Sequence, residues 1–104
     1  MKNENSKLSY WTDEELKKAI VAYFKMLKYE REKTPYVKAE INRQLQAELR
    51  NRTHKSIEYR WQNISSVLND NNIAFIPGFK PASHVGDNVK ERIWKIIRSL
   101  EVLE

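Results

Sequence analysis

The sequence predicts an all-α domain: a compact, helix-turn-helix-like bundle of about four helices. Three observations lead there. Apolar residues recur every three or four positions in four separate stretches, and capping residues stand at the starts of several of them. The stretch without that period, 73–82, is short and closed by Pro77-Gly78.

The first helix opens at Trp11-Thr12-Asp13-Glu14-Glu15-Leu16. Thr12 can cap the free N–H groups while Glu15, three residues on, reaches back to it, and Trp11 and Leu16 can close over the cap as an apolar staple. Asp13 and Glu14 suit the positive end of the helix dipole. Leu16, Ile20, Tyr23, Phe24 and Leu27 follow on one face, and the helix is expected to fade between Tyr29 and Lys33.

A second start is read at Thr34-Pro35, with Thr34 as cap and Pro35 at the first helical position, where a missing N–H costs nothing. Val37, Ile41, Leu45 and Leu49 then repeat every fourth residue, and Asn51 can accept the left-handed backbone that ends the helix. Thr53 caps the third helix, expected over 53–69. Its buried stripe is Ile57, Trp61, Ile64 and Leu68; Lys55, Glu58, Tyr59, Gln62 and Ser66 fall on the opposite face. Asn69 to Asn72 stop it.

Ile73 to Phe79 reads either as a short extended segment, even a small wing, or as an apolar loop clamped onto the helices. Pro77 argues against a central strand. The last helix, expected from Asp87 to Leu103, buries Val89, Ile93, Ile96, Ile97 and Leu100, with Trp94 at its flank. Residues 1–9 read as a loose polar tail and 10–104 as one domain.

Composition narrows the function. With no cysteine, disulfides and thiolate metal sites are excluded, and two histidines argue against structural zinc. No apolar run approaches the ~20 residues of a membrane span, and the polar N-terminus is not a signal peptide, so a cytoplasmic protein is expected. Glycine occurs only at 78 and 86, which leaves no phosphate-binding glycine motif. Asp13, Glu14 and Glu15 are a capping cluster, and neither His54 nor His84 has a nuclease motif around it. The expectation is therefore no enzyme activity, no cofactor and no metal.

Charge is unevenly distributed. The net +5 lies within residues 25–62, where ten Lys or Arg face five Glu; the flanks balance at four against four and five against five. Such a field attracts a phosphate backbone. On the outward face of the third helix, Lys55, Glu58, Tyr59 and Gln62 become the candidate base readers, because lysine and glutamine match base-edge acceptors and donors. Lys38, Arg43, Arg50, Arg52, Arg60 and Lys80 are the candidate phosphate ligands. Arg52 has an alternative partner in Glu48 at i,i+4, and Tyr59 an alternative seat against residues 73–79.

Two family resemblances meet in the third helix. Trp11-Thr12-x-Glu14-Glu15-Leu16, with Arg52-Thr53, Ile57, Arg60-Trp61 and Asn63-Ile64, resembles Myb/SANT-type repeats. That resemblance implies a last helix in the major groove, with reading positions at Glu58, Tyr59 and Gln62. Lys55-Ser56-Ile57-Glu58-Tyr59, Gln62 to Leu68 and Ile76-Pro77-Gly78-Phe79-Lys80-Pro81 resemble small N-terminal domains attached to HNH-type and modification-dependent restriction endonucleases. This second resemblance implies a double-stranded-DNA targeting module of a bacterial restriction or mobile-element system, with a nuclease domain or other subunit as partner. The alternative reading is a protein-interaction or dimerisation module, docking through Trp94 and the Phe75–Phe79 loop.

Overall fold

The computed structural model describes residues 10–100, and among these the chain is an all-α, four-helix bundle without strands. The helices are α1 (Asp13–Glu32), α2 (Lys38–Glu48), α3 (His54–Asp70) and α4 (Asp87–Leu100). The expected tail at 1–9 and the expected end of the last helix beyond Leu100 lie outside the described residues. No helix among the described residues is long and apolar enough to cross a membrane.

Both well-marked starts form as their residues dictate. Glu15 N–H donates to Thr12 Oγ1 at 3.1 Å, and Thr12 N–H donates to Glu15 Oε1 at 2.9 Å, a reciprocal box that satisfies two otherwise orphaned donors. Trp11 and Leu16 are both buried above it. At α3, Ser56 N–H donates to Thr53 Oγ1 and Thr53 N–H to Ser56 Oγ, each at 3.0 Å.

The start of α2 differs from expectation. Thr34 and Pro35 lie outside the helix, which begins at Lys38 after Val37, a residue giving no side-chain cap. Thr34 is used by α1 instead: its N–H donates to Tyr29 O while Lys33 N–H reaches Glu30 O, with Lys33 left-handed at φ 56°. This is the paired closure of a Schellman end. Tyr36 then packs on Tyr29 and donates its hydroxyl to Glu30, which holds 34–37 as a connector. Val37, expected in the buried stripe, is 59% exposed; Leu45 and Leu49 are buried and Ile41 partly so. Asn51 takes the left-handed conformation at φ 62° that ends this segment.

Helices α1 and α3 form the centre. Each packs on the other three elements, whereas α2 and α4 do not touch and flank the pair. The Trp61 indole N–H donates to Ala19 O at 3.1 Å, fastening α3 to α1 where the Ile57, Trp61, Ile64 and Leu68 stripe is buried. The segment after α3 is an irregular loop, not a wing. Ile76 and Phe79 insert into the core, Phe79 against Trp61 with ring centroids 5.1 Å apart. Tyr23 supplies the polar anchor: its hydroxyl accepts Ile76 N–H at 3.0 Å and shares a hydrogen bond with Ser65 Oγ at 2.7 Å.

That loop also explains why the outward face of α3 is shorter than its periodicity suggests. Ser66, expected outside, is 5% exposed, and every residue from Asn63 to Leu68 is buried. The loop crosses the helix at Gln62, and residues 63–68 beyond it keep no exposed side.

Candidate nucleic-acid interface

What α3 offers to a ligand is its N-terminal half, about two and a half turns. Lys55 is exposed, Tyr59 is 44% exposed, and Glu58 and Gln62 are half-buried. Gln62 marks the limit, because Ala82 N–H donates to its main-chain oxygen at 3.2 Å where the loop crosses the helix. Tyr59 lies on the open face, where it lines a cleft with Trp11, Asn51 and Arg60, and the core beneath residues 73–79 is filled by Ile76 and Phe79.

The presentation of this face depends on the junction between α2 and α3. Asn42, fully buried on α2, donates from Nδ2 to His54 O at 3.1 Å. It ties α2 to the first turn of α3. Nothing local in the sequence marks Asn42, since its partner lies twelve positions away.

The arginines divide into two groups. Arg52, expected on phosphate or on Glu48, is bound to Glu15 instead: Nε to Oε2 at 3.1 Å and Nη2 to Oε1 at 2.9 Å. Its Nη2 also donates to Tyr10 O at 2.6 Å, and its side chain is only 7% exposed. The left-handed turn at Asn51 carries Arg52 off the α2 surface, and Glu48 lies 3.9 Å from Lys18. Arg60 is likewise turned inward, donating to Asn63 Oδ1 at 2.7 Å.

Both guanidiniums lie over the Trp11 ring, 4.8 and 5.3 Å from its centre. Arg92, from α4, completes the cluster by donating to Trp11 O at 2.6 Å, by pairing with Asp13 and by lying over Tyr10. Trp11 is thus a buried seat for arginines and not a base-stacking platform, with 3% of its surface exposed. Sequence reasoning misses Arg92 because its partners are about eighty positions away.

Electrostatics follow from this packing. Burial pulls the Arg60 guanidinium below the ordinary arginine range; Arg52 and Arg92 add to the shift, against Tyr59 and Glu15. The group remains a cation at neutral pH. Burial pushes the Glu15 carboxyl up, but hydrogen bonds from Arg52 and Thr12 and the charge of Arg52 outweigh it, and the carboxyl sits below its usual value. Beside this cluster, Trp11, Asn51, Thr53, Ser56 and Tyr59 line an open cleft of about 280 Å³ at the start of α3.

The remaining candidates are exposed. Arg43, Arg50, Lys55 and Lys80 make no ion pair among the described residues. Lys38 is also exposed, but its ammonium lies 4.8 Å above the Phe79 ring, which directs it to the 76–79 turn. The structure therefore brings Arg52, Tyr59 and Arg60 to one cleft and places Lys38 beside the Phe79–Lys80 turn. Among the described residues, no group of three or more His, Asp or Glu is placed to hold a metal ion.

The patch expected to serve a protein partner is only partly exposed. Phe79 is 1% exposed, and Phe75 and Trp94 are partly buried against the core. Comparison with protein-family models, with curated proteins and with solved structures yields no match.

Proposed function

We propose that this domain binds double-stranded DNA, with the N-terminal half of α3 in the major groove. The observation that carries the reading is the division of α3 along its length. Residues 63–68 are all buried, while its first turns present Lys55, Glu58, Tyr59 and Gln62 from a helix fixed by the Thr53 cap and by Asn42. Recognition helices of helix-turn-helix proteins contact base edges with their N-terminal residues, so the exposed part is the useful part.

Phosphate contacts fall in this reading to Lys38, Arg43, Arg50 and Lys80, exposed candidate cations that make no ion pair among the described residues. Arg52 and Arg60 shape the face from beneath. A targeting role beside a nuclease domain, as in the endonuclease-associated domains the sequence resembles, belongs to the same proposal.

The test is binding to a randomised duplex pool, in modified and unmodified forms, over a range of salt. Saturable binding that weakens steeply with salt and enriches a sequence or a modification supports the reading. Absence of saturable binding at low salt rejects it.

A further inference from the structure

The outer face of α1 carries one anomaly. Its exposed positions beyond the first residue run Glu14, Lys17, Val21, Lys25, Lys28 and Glu32, and the lone apolar member, Val21, is 50% exposed. Val21 opens onto a groove between α1 and α2, floored by Ala22, Ile41 and Leu45, with a volume of about 280 Å³. The groove continues past Lys25, Ile41 and Gln44 toward Val37, the other half-exposed valine. No residue of α3 or α4 lines either part.

Charge along the groove has a definite order. The α1 wall bears Lys17, Lys18 and Lys25, with Glu14 at its end one turn before Lys18, and the α2 wall bears Glu48 and Glu40. The walls run antiparallel. Lys18 stands level with Glu48 at one end, 3.9 Å away, and Lys25 shares the other part with Glu40. A twofold axis laid along the groove exchanges the two walls and preserves height. It therefore sets the lysine wall of one copy over the glutamate wall of the other, Lys17 and Lys18 level with Glu48 and Lys25 level with Glu40. Self-complementarity of this kind is what an isologous interface demands. An axis perpendicular to α1 through Val21 would instead set Lys17 against Lys25, so the charge pattern selects the first arrangement.

We propose that the α1–α2 groove is the seat of a second copy of this chain, related by a twofold axis along the groove, with Val21, Ile41 and Val37 buried between the copies. The interface forms a layer of four helices and leaves α3 of each copy open. It stands or falls independently of DNA binding.

The test is the mass of the full chain in solution, by sedimentation equilibrium up to high concentration. The expected wild-type mass is that of two chains. Val21→Glu, Lys25→Glu and Glu40→Lys are each expected to give one chain, with unchanged helical circular dichroism because all three positions are exposed. Mixing Lys25→Glu with Glu40→Lys juxtaposes opposite charges at both symmetry-related sites and is expected to restore the two-chain mass. A wild type of one chain throughout overturns the proposal and leaves the groove to some other occupant. So does a two-chain mass that survives Val21→Glu and Lys25→Glu, which would place the interface elsewhere. Failure of the mixture to regain two chains overturns the twofold arrangement.

Discussion

Arg52 grips Glu15 through two nitrogens, at 2.9 and 3.1 Å, across 37 positions of chain. The contact joins the cap of α1 to the residue before the cap of α3, so one carboxylate closes a helix end and orients the next helix. With 7% and 21% of the two side chains exposed, the pair is partly withdrawn from water. Removing one partner leaves the other poorly solvated, and this cost exceeds the net worth of the pair.

Arg52→Ala is accordingly expected to destabilise the domain by roughly 2–4 kcal/mol, while Arg50→Ala, two positions away and exposed, changes stability by less than about 0.5 kcal/mol. Urea denaturation of both variants checks this. Equal stabilities would mean that the bidentate contact contributes nothing.

The same carboxylate sets a pH dependence. The folded pKa of Glu15 lies below its ordinary value, so the folded state favours the ionised form. Its stabilisation is full above the unfolded pKa and is lost as pH falls through the depressed folded value. The window thus lies at and below the ordinary glutamate range. Glu15→Gln is expected to be less stable at neutral pH by about 1–2 kcal/mol and to lose part of the acid-side slope. Denaturation midpoints collected from neutral to acid pH measure both, and a parallel shift of the wild-type curve would contradict the assignment.

Much of the fold is legible in the sequence because it is local. The Thr12–Glu15 box, the Thr53 cap, the left-handed Asn51 and the Ile57, Trp61, Ile64, Leu68 stripe each depend on residues within a few turns. Where local signals compete, the sequence alone does not choose. Thr34-Pro35 has the form of a helix start, yet Thr34 closes α1, with Tyr36 packed on Tyr29. Helical period also gives direction without saying what arrives on the far side. Ser66 lies across the helix from the Trp61 stripe, as the period requires, but that side is buried as well. For the candidate site, Lys55 and Tyr59 are readable from the helical wheel. The inward turn of Arg52 and Arg60, and the part played by Arg92, depend on Trp11 and do not follow from spacing.

Tyr23 provides a test of how the loop is held. Its hydroxyl is the acceptor for Ile76 N–H and the partner of Ser65, all three buried. Burial pushes the phenol up, against the Ser65 and Ile76 hydrogen bonds, so the group is neutral across the physiological range. Tyr23→Phe leaves a buried N–H without its acceptor and is expected to cost about 1–3 kcal/mol. Amide exchange at Ile76 should accelerate more than exchange within α1. Uniform acceleration would show that the hydroxyl anchors no particular segment.

The division of labour at the proposed DNA face gives the last prediction. Lys55 and Gln62 present different chemistry to base edges, so alanine at either is expected to change the sequence preference recovered from a duplex pool, by about 1–3 kcal/mol for a bidentate contact. Arg43 and Arg50 carry exposed charge without a carboxylate partner among the described residues. Alanine at either is expected to weaken all duplexes alike and to make the salt slope shallower by about 0.9 per phosphate no longer neutralised. Arg52→Ala behaves differently from both groups: its loss of binding tracks its loss of stability and recovers under conditions that keep the variant folded. Four alanine variants with identical losses on every duplex would remove the distinction between readers and phosphate ligands. A salt slope unchanged by Arg43→Ala and Arg50→Ala would take α2 and the turn that follows it out of the interface.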